Sequence, residues 1–328
     1  MTVPRRYVIL GAGAVGCALG GMLQATGAEV IFIARGAQLD ALQRHGLDLA
    51  LPSRVIHLAV EALAGPDTIR FKERDIVLLC TKSQDSAAAL AELAATAPHD
   101  VPVVCAQNGV ANEALAAERF ARVYTMVVFS PCQFVEPGRA SIHSEPVLGG
   151  LDVGRYPSGT DDVVEDLARD LNTAGFDARA DPRIGRLRYA KLLSNLANVL
   201  QALGGRAALE SPLADELRAE GEACLQAARI EFAPLDELYT RNEAIRELPV
   251  AGALRGGGST WQSLARGTGS LETEYLNGAI VAVGTQHGVP TPANLAVLAL
   301  ARHATAEHWS PEHLTVAEIE AAVARLET

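Results

Sequence analysis

"YVILGAGAVGCALGGMLQATGAEVIFIAR", residues 7–35, decides how the first half of the chain folds. Four apolar residues (7–10) lead into the glycine run "GAGAVG"; small and apolar residues continue from about Ala14 to Ala25. A second β-rich run, "EVIFIAR" (29–35), closes the stretch. Strand, glycine turn, helix and strand in that order make a βαβ unit. Gly11, Gly13, Ala14 and Gly16 fall at the mouth of the helix. Small residues there permit a tight turn and let backbone N–H groups approach a pyrophosphate. A lone GxGxxG is weak, but this one sits between a strand and a helix at the expected spacing. A glycine turn that holds no nucleotide is the plainer alternative.

Working outward, the same alternation recurs. "DIVLLC" (75–80), "VPVVCA" (101–106) and "RVYTMVVF" (122–129) read as strands, with helices over 86–97 and 112–121 between them. Strands that are apolar throughout imply a parallel sheet covered on both faces. "RASIHS" (139–144), "PVLGGL" (146–151), a helix near 160–174 and "FDARA" (176–180) are expected to end that sheet with antiparallel strands. Past "DPRIG" (181–185), helical signatures take over: 184–203, 211–230, 234–247, 272–288, 291–308 and 313–327. The expected fold is α/β: a Rossmann-type dinucleotide-binding domain over 1–182, then an all-helical domain over 183–328 carrying substrate and catalytic groups.

Composition bounds the function. The 328 residues are 49% hydrophobic and 20% charged, with a net charge of −11 and no basic block. Nucleic acid and anionic membranes are therefore excluded as expected partners. The five cysteines show neither CxxC nor Cys/His metal spacing, so reduced thiols in a cytoplasmic protein and no metal site are expected. The apolar run before Gly11 is too short for a signal-peptide core. The long apolar stretch "NLAVLALARHA" (294–304) could pair with a second copy in a homodimer.

The end of the second strand bears on cofactor choice. An NAD site places a carboxylate there to bind the ribose 2′-OH. This chain has Arg35 instead and no carboxylate before Asp40, which favours NADPH, since a guanidinium can bind a 2′-phosphate. Lys82 and Asn108 follow the third and fourth strands of the alternation, at the ends where ligands bind in such sheets. Lys82 could meet cofactor phosphate or ribose; Asn108 could orient the nicotinamide or serve only a turn with Gly109.

The stretch "RYAKLLSNLANVLQAL" (188–203) sets Lys191 and Asn195 four residues apart on one helical face, with Asn198 close by. Leu187, Ala190, Leu192, Leu193, Leu196 and Ala197 surround them. A lysine can snorkel from such a helix. An ammonium kept among apolar neighbours suits hydride reduction of a ketone, in which the carbonyl oxygen must receive a proton. Glu272 or Glu274 could partner it, or merely complement a helix dipole. Ser259 and Thr260 could bind a substrate carboxylate or cap a short helix. "HGVPTP" (287–292) reads as a helix–helix turn rather than a catalytic histidine.

These residues together resemble the ketopantoate reductase (2-dehydropantoate 2-reductase) family over nearly the whole chain. The marks are "GAGAVG", Arg35, Lys82, "QNG" (107–109), "KLLSN" (191–195) and "ETEYLNGAIVAVGTQHGVPTPAN" (272–294). The resemblance implies NADPH-dependent reduction of a 2-oxo acid such as ketopantoate, with Lys191 as general acid and Glu272 as its acidic partner. It also implies that Asn108 lies between nicotinamide and substrate, that Asn195 binds substrate, and that Thr260 takes the family's substrate-binding serine position. The chain departs from the pattern at Val199, where the family carries Asn, with Asn198 one residue out of step. It departs again at Leu264, where the family carries Asp. These changes bring a bulkier or less hydroxylated 2-oxo acid into consideration. An NADH-dependent D-2-hydroxyacid dehydrogenase and a non-catalytic NADPH-binding sensor are the alternatives.

Overall fold

The computed structural model describes residues 5–267 and 271–327. In chain order the first elements are β1 (Arg6–Leu10), α1 (Ala14–Ala25), β2 (Glu29–Ile33), α2 (Gly36–His45), β3 (Leu47–Ala50), β4 (Val55–Leu58) and β5 (Glu61–Leu63). Then come β6 (Asp75–Leu79), α3 (Ser86–Ala94), β7 (Val103–Cys105), α4 (Asn112–Ala117), β8 (Val123–Phe129), β9 (Cys132–Glu136) and β10 (Arg139–Ile142). β11 (Gly150–Arg155), α5 (Asp162–Thr173) and β12 (Asp177–Ala180) complete the strands. The helical part holds α6 (Ile184–Asn195), α7 (Asn198–Leu209), α8 (Leu213–Ala227), α9 (Leu235–Arg241), α10 (Ser259–Ala265), α11 (Asn277–His287), α12 (Pro292–Ala306) and α13 (Val316–Glu327).

Two compact units divide these elements. The first comprises 1–107, 111–185 and 239–255, and the second 108–110, 186–238 and 256–328. Three short segments, 108–110, 183–185 and 239–255, thus sit in the other unit from the one that a single cut at 182/183 would give. The reason for 239–255 lies in its side chains. Arg241, almost wholly buried, holds Asp152 at 2.9 Å and Asp177 at 2.6 Å. Leu248 donates its N–H to the His143 carbonyl at 2.7 Å.

In the first unit an eight-stranded sheet runs β12-β11-β8-β7-β6-β1-β2-β5. From β5 to β8 all neighbours are parallel; β11 is antiparallel to β8, and β12 is parallel to β11. Side chains alternate across the sheet: Tyr7 and Ile9 enter one core, Val8 and Leu10 the other. "RASIHS", expected in this sheet, instead forms β10 of a separate four-stranded sheet ordered β4-β3-β10-β9. α1 explains the second sheet. A Cβ at Gly20 would strike Ile9 and Phe32 at 2.7 Å, and one at Gly21 would meet Leu47 at 3.0 Å. The helix is thin on both sides, so one sheet packs on each.

In the second unit the helix expected over 184–203 is broken at Leu196-Ala197, between α6 and α7. The amide of Asn277 takes the carbonyl of Leu196 at 3.1 Å, which replaces a lost helical bond. α7 kinks at Gly204-Gly205, and the N–H groups of Glu312 and Leu314 take the freed carbonyls of Ala202 and Leu203, both at 2.9 Å. The helix expected over 234–247 stops at Arg241, and the one expected from 272 opens as a 3₁₀ turn, Glu272–Tyr275, before α11. Gly288, at φ 70°, caps α11, and Pro292 opens α12, the turn read from "HGVPTP". Among the described residues no helix is long and apolar enough to cross a membrane.

Candidate functional site

Each unit gathers its own set of candidate residues. In the first, the three glycines of the turn have three different physical reasons. Gly11 has φ +108°, and a Cβ there would lie 2.7 Å from the Thr81 nitrogen. Gly16 sits against the Gly11 carbonyl, 2.1 Å from where its Cβ would be. Gly13 is different: nothing lies within 4 Å of its Cβ position. It is the N-cap of α1, no side chain caps that helix, and its first turn carries no acid. Ala14 is the first helical residue. The turn therefore offers open space and uncapped first-turn amides, which fit a pyrophosphate.

Beside it, Lys82 follows β6 as the N-cap of a 3₁₀ turn, Ser83–Asp85, and is half-buried. Gln107 clamps this end of the sheet: its amide donates to the Thr81 carbonyl at 2.5 Å and to the Ser86 hydroxyl at 2.8 Å. Arg35, the N-cap of α2, is well exposed and pairs with Glu92 of α3 at 2.5 Å. That partner was not legible in the sequence, because nothing in "AAALAEL" marks one glutamate for a contact with residue 35. Burial pushes the Cys17 thiol of α1 up to about 12 and raises the Cys80 thiol as well, so both stay protonated at neutral pH.

In the second unit, Lys191 is half-buried on α6, while Leu187, Ala190, Leu192, Leu193, Leu196 and Ala197 are buried around it. Asn195, one turn on, ends the helix and is 5% exposed. Its amide donates to the Asn108 side-chain carbonyl at 3.1 Å and accepts from the Asn198 amide at 3.3 Å. Gly258, not Ser259 or Thr260, is the N-cap of α10, so neither hydroxyl serves as the cap. The Gly258 N–H donates to the Gln201 side-chain carbonyl at 2.9 Å, which ties the segment leading into Ser259 and Thr260 to α7. Thr260 is buried, Ser259 half-buried, and Glu272 half-buried at the start of its 3₁₀ turn.

Two further residues of the quoted motifs have structural roles. Asn277 donates to Asn294 at 2.9 Å. Asn294 donates to the Leu217 carbonyl at 3.0 Å and to Glu220 at 2.7 Å. The Glu220 carboxylate also accepts from the Ala293 and Asn294 N–H groups at 2.8 and 2.9 Å, capping α12 from a neighbouring helix.

Comparison with known proteins agrees over both units. The family model described as "Ketopantoate reductase PanE/ApbA" matches residues 7–157, and its C-terminal counterpart matches residues 183–305. The 2-dehydropantoate 2-reductase of Archaeoglobus fulgidus is 31% identical over 91% of this chain and 97% of its own length. The crystal structure of a PanE/ApbA family ketopantoate reductase from Ralstonia eutropha JMP134 superposes with a TM-score of 0.76 at 28% identity, covering 92% of this chain and 99% of the other. A D-mandelate dehydrogenase solved with NADH and anilino(oxo)acetate shares the fold, with a TM-score of 0.79 at 21% identity over 93% of this chain and 99% of its own. With both family models matched in chain order and a curated relative aligned almost end to end, the chain belongs to the ketopantoate reductase family.

Proposed function

We propose that this protein reduces a 2-oxo acid to a 2-hydroxy acid with NADPH, the substrate being 2-dehydropantoate (ketopantoate) or a close analogue. The observation that carries the reading is the half-buried Lys191 among buried apolar neighbours, one turn from an asparagine that is itself hydrogen-bonded to Asn108. When bound, the reduced dinucleotide supplies a hydride to the substrate's C2. Gly11, Gly13, Ala14 and Gly16 would hold its pyrophosphate, Lys82 its phosphate or ribose, and Arg35 its 2′-phosphate. Asn108 would position the substrate beside the nicotinamide.

Lys191 acts as the general acid. The carbonyl oxygen gains negative charge as C2 is reduced, and the ammonium stabilises that charge and delivers the proton that completes the hydroxyl. Glu272 is the carboxylate that holds the ammonium for this task. Asn195 and Asn198 bind substrate without adding charge, and Ser259 and Thr260 supply hydroxyls to its carboxylate. The five cysteines are free thiols, which supports a reducing, cytoplasmic setting.

A second reading keeps the reaction class but uses NADH. The observation that favours it is the engagement of Arg35 with Glu92. An exposed ion pair of this kind contributes about 0–1 kcal/mol, so a 2′-phosphate could displace it; NADPH remains the preferred cofactor. The test is a panel of 2-oxo acids, ketopantoate included, assayed with NADPH and with NADH. Turnover of at least one 2-oxo acid with tighter binding of NADPH is expected. Equal binding of the two cofactors would favour the second reading. Cofactor binding without turnover of any 2-oxo acid would point to a non-catalytic sensor.

A further inference from the structure

Beyond the residues read from sequence, α7 carries Gln201 three positions after Asn198. Both side chains lean on the same point of backbone. The Gln201 Oε1 lies 3.1 Å, and the Asn198 Oδ1 3.8 Å, from where a Cβ on Gly258 would be. Gln201 uses its carbonyl on the Gly258 N–H, and Asn198 uses its amide on Asn195. What remains is complementary: among the described residues the Asn198 Oδ1 accepts no bond and the Gln201 Nε2 donates none. Neither atom is sealed from solvent. One open acceptor and one open donor, both neutral, thus stand on one helical face beside the segment that leads into Ser259 and Thr260.

A carboxylate can only accept hydrogen bonds and an ammonium can only donate them; a hydroxyl does both. We propose that Asn198 and Gln201 form a specificity pair that reads a hydroxyl on the tail of the 2-oxo acid, with Gln201 also positioning Gly258. This rests on the reductase reading above. It assigns the hydroxyl to two residues outside the family's usual register, where Val199 replaces the expected asparagine, and so restores hydroxyl selection in place of the less hydroxylated substrate that the sequence suggests. Gly258 follows from the same arrangement. A Cβ there would lie 3.1 Å from the Gln201 Oε1, so a side chain would make that carbonyl shift by a few tenths of an ångström.

The test uses the full-length protein with bound NADP⁺ and two ligands, pantoate and its analogue lacking the terminal hydroxyl, measured by calorimetry. The corresponding oxo acids are compared by kcat and KM. The wild type is expected to prefer the hydroxylated member about tenfold or more. Gln201→Met, close to glutamine in shape but without its amide, should bring the two ligands within about threefold by raising KM for the hydroxylated one while kcat holds. Asn198→Leu should do the same and stands in if the first variant does not fold. Equal loss for both ligands in either variant, or no preference in the wild type, overturns the pair. Preferential pantoate binding without any oxo-acid turnover would overturn the reductase reading and leave the pair standing.

Discussion

Arg35 and Lys191 are the two cations on which the proposed function rests, yet the sequence exposes them unequally. Lys191 stands out because its neighbours are apolar, and burial of those neighbours is what the structure shows. Arg35 stands out only by the absence of a carboxylate. Its ion pair with Glu92 brings together residues 57 apart in sequence, which no local pattern announces. Arg35→Ala is expected to weaken NADPH binding roughly tenfold or more while changing NADH binding less than twofold, since only NADPH carries the 2′-phosphate assigned to this guanidinium. Fluorescence titration of both dinucleotides checks this. Equal losses would remove 2′-phosphate recognition from residue 35.

At the level of elements, the alternation of β1, α1, β2, β6, β7 and β8 was legible because each strand is apolar on both faces. β3, β4, β5 and β9 were not. They are short, and none is buried along its whole length, so they carry no continuous apolar run. The break between α6 and α7 was hidden for another reason. "NLANVL" has ordinary helical composition, and the interruption depends on Asn277, some eighty residues away, taking the Leu196 carbonyl. That network is also the element-scale test. Asn294→Ala removes a buried amide that serves Asn277, Leu217 and Glu220. Leaving such groups unpaired costs about 1–3 kcal/mol. Urea unfolding should show a loss of that size, whereas a change below about 0.5 kcal/mol would mean the network is not stabilising.

Over the whole molecule, the return of 239–255 to the first unit is the feature least visible in sequence, because it depends on long-range pairing of Arg241 with two aspartates. His143 records the same packing. It is 4% exposed, its Nε2 meets the Ser141 hydroxyl at 3.0 Å, and its Nδ1 meets the Leu248 carbonyl at 3.2 Å. Burial lowers its pKa below the usual 6.5, opposed by the Leu248 carbonyl and Glu247, while Arg255 also lowers it. The fold therefore prefers the neutral ring. Its contribution is complete above the unfolded pKa and is lost as pH falls through the lower folded one. Melting temperature should fall more steeply between pH 7 and pH 5 in the wild type than in His143→Gln; parallel curves would dissociate His143 from acid sensitivity.

In the proposed function, cofactor binding belongs to the glycine turn of the first unit and proton delivery to Lys191 of the second, so the two should separate by mutation. The decisive measurement is kcat for reduction of a 2-oxo acid by Lys191→Ala, alongside its Kd for NADPH. We predict a fall in kcat of about 10²–10⁴, as expected for loss of a general acid, with NADPH affinity unchanged. Turnover within a few-fold of wild type would contradict the assignment of Lys191 as the proton donor.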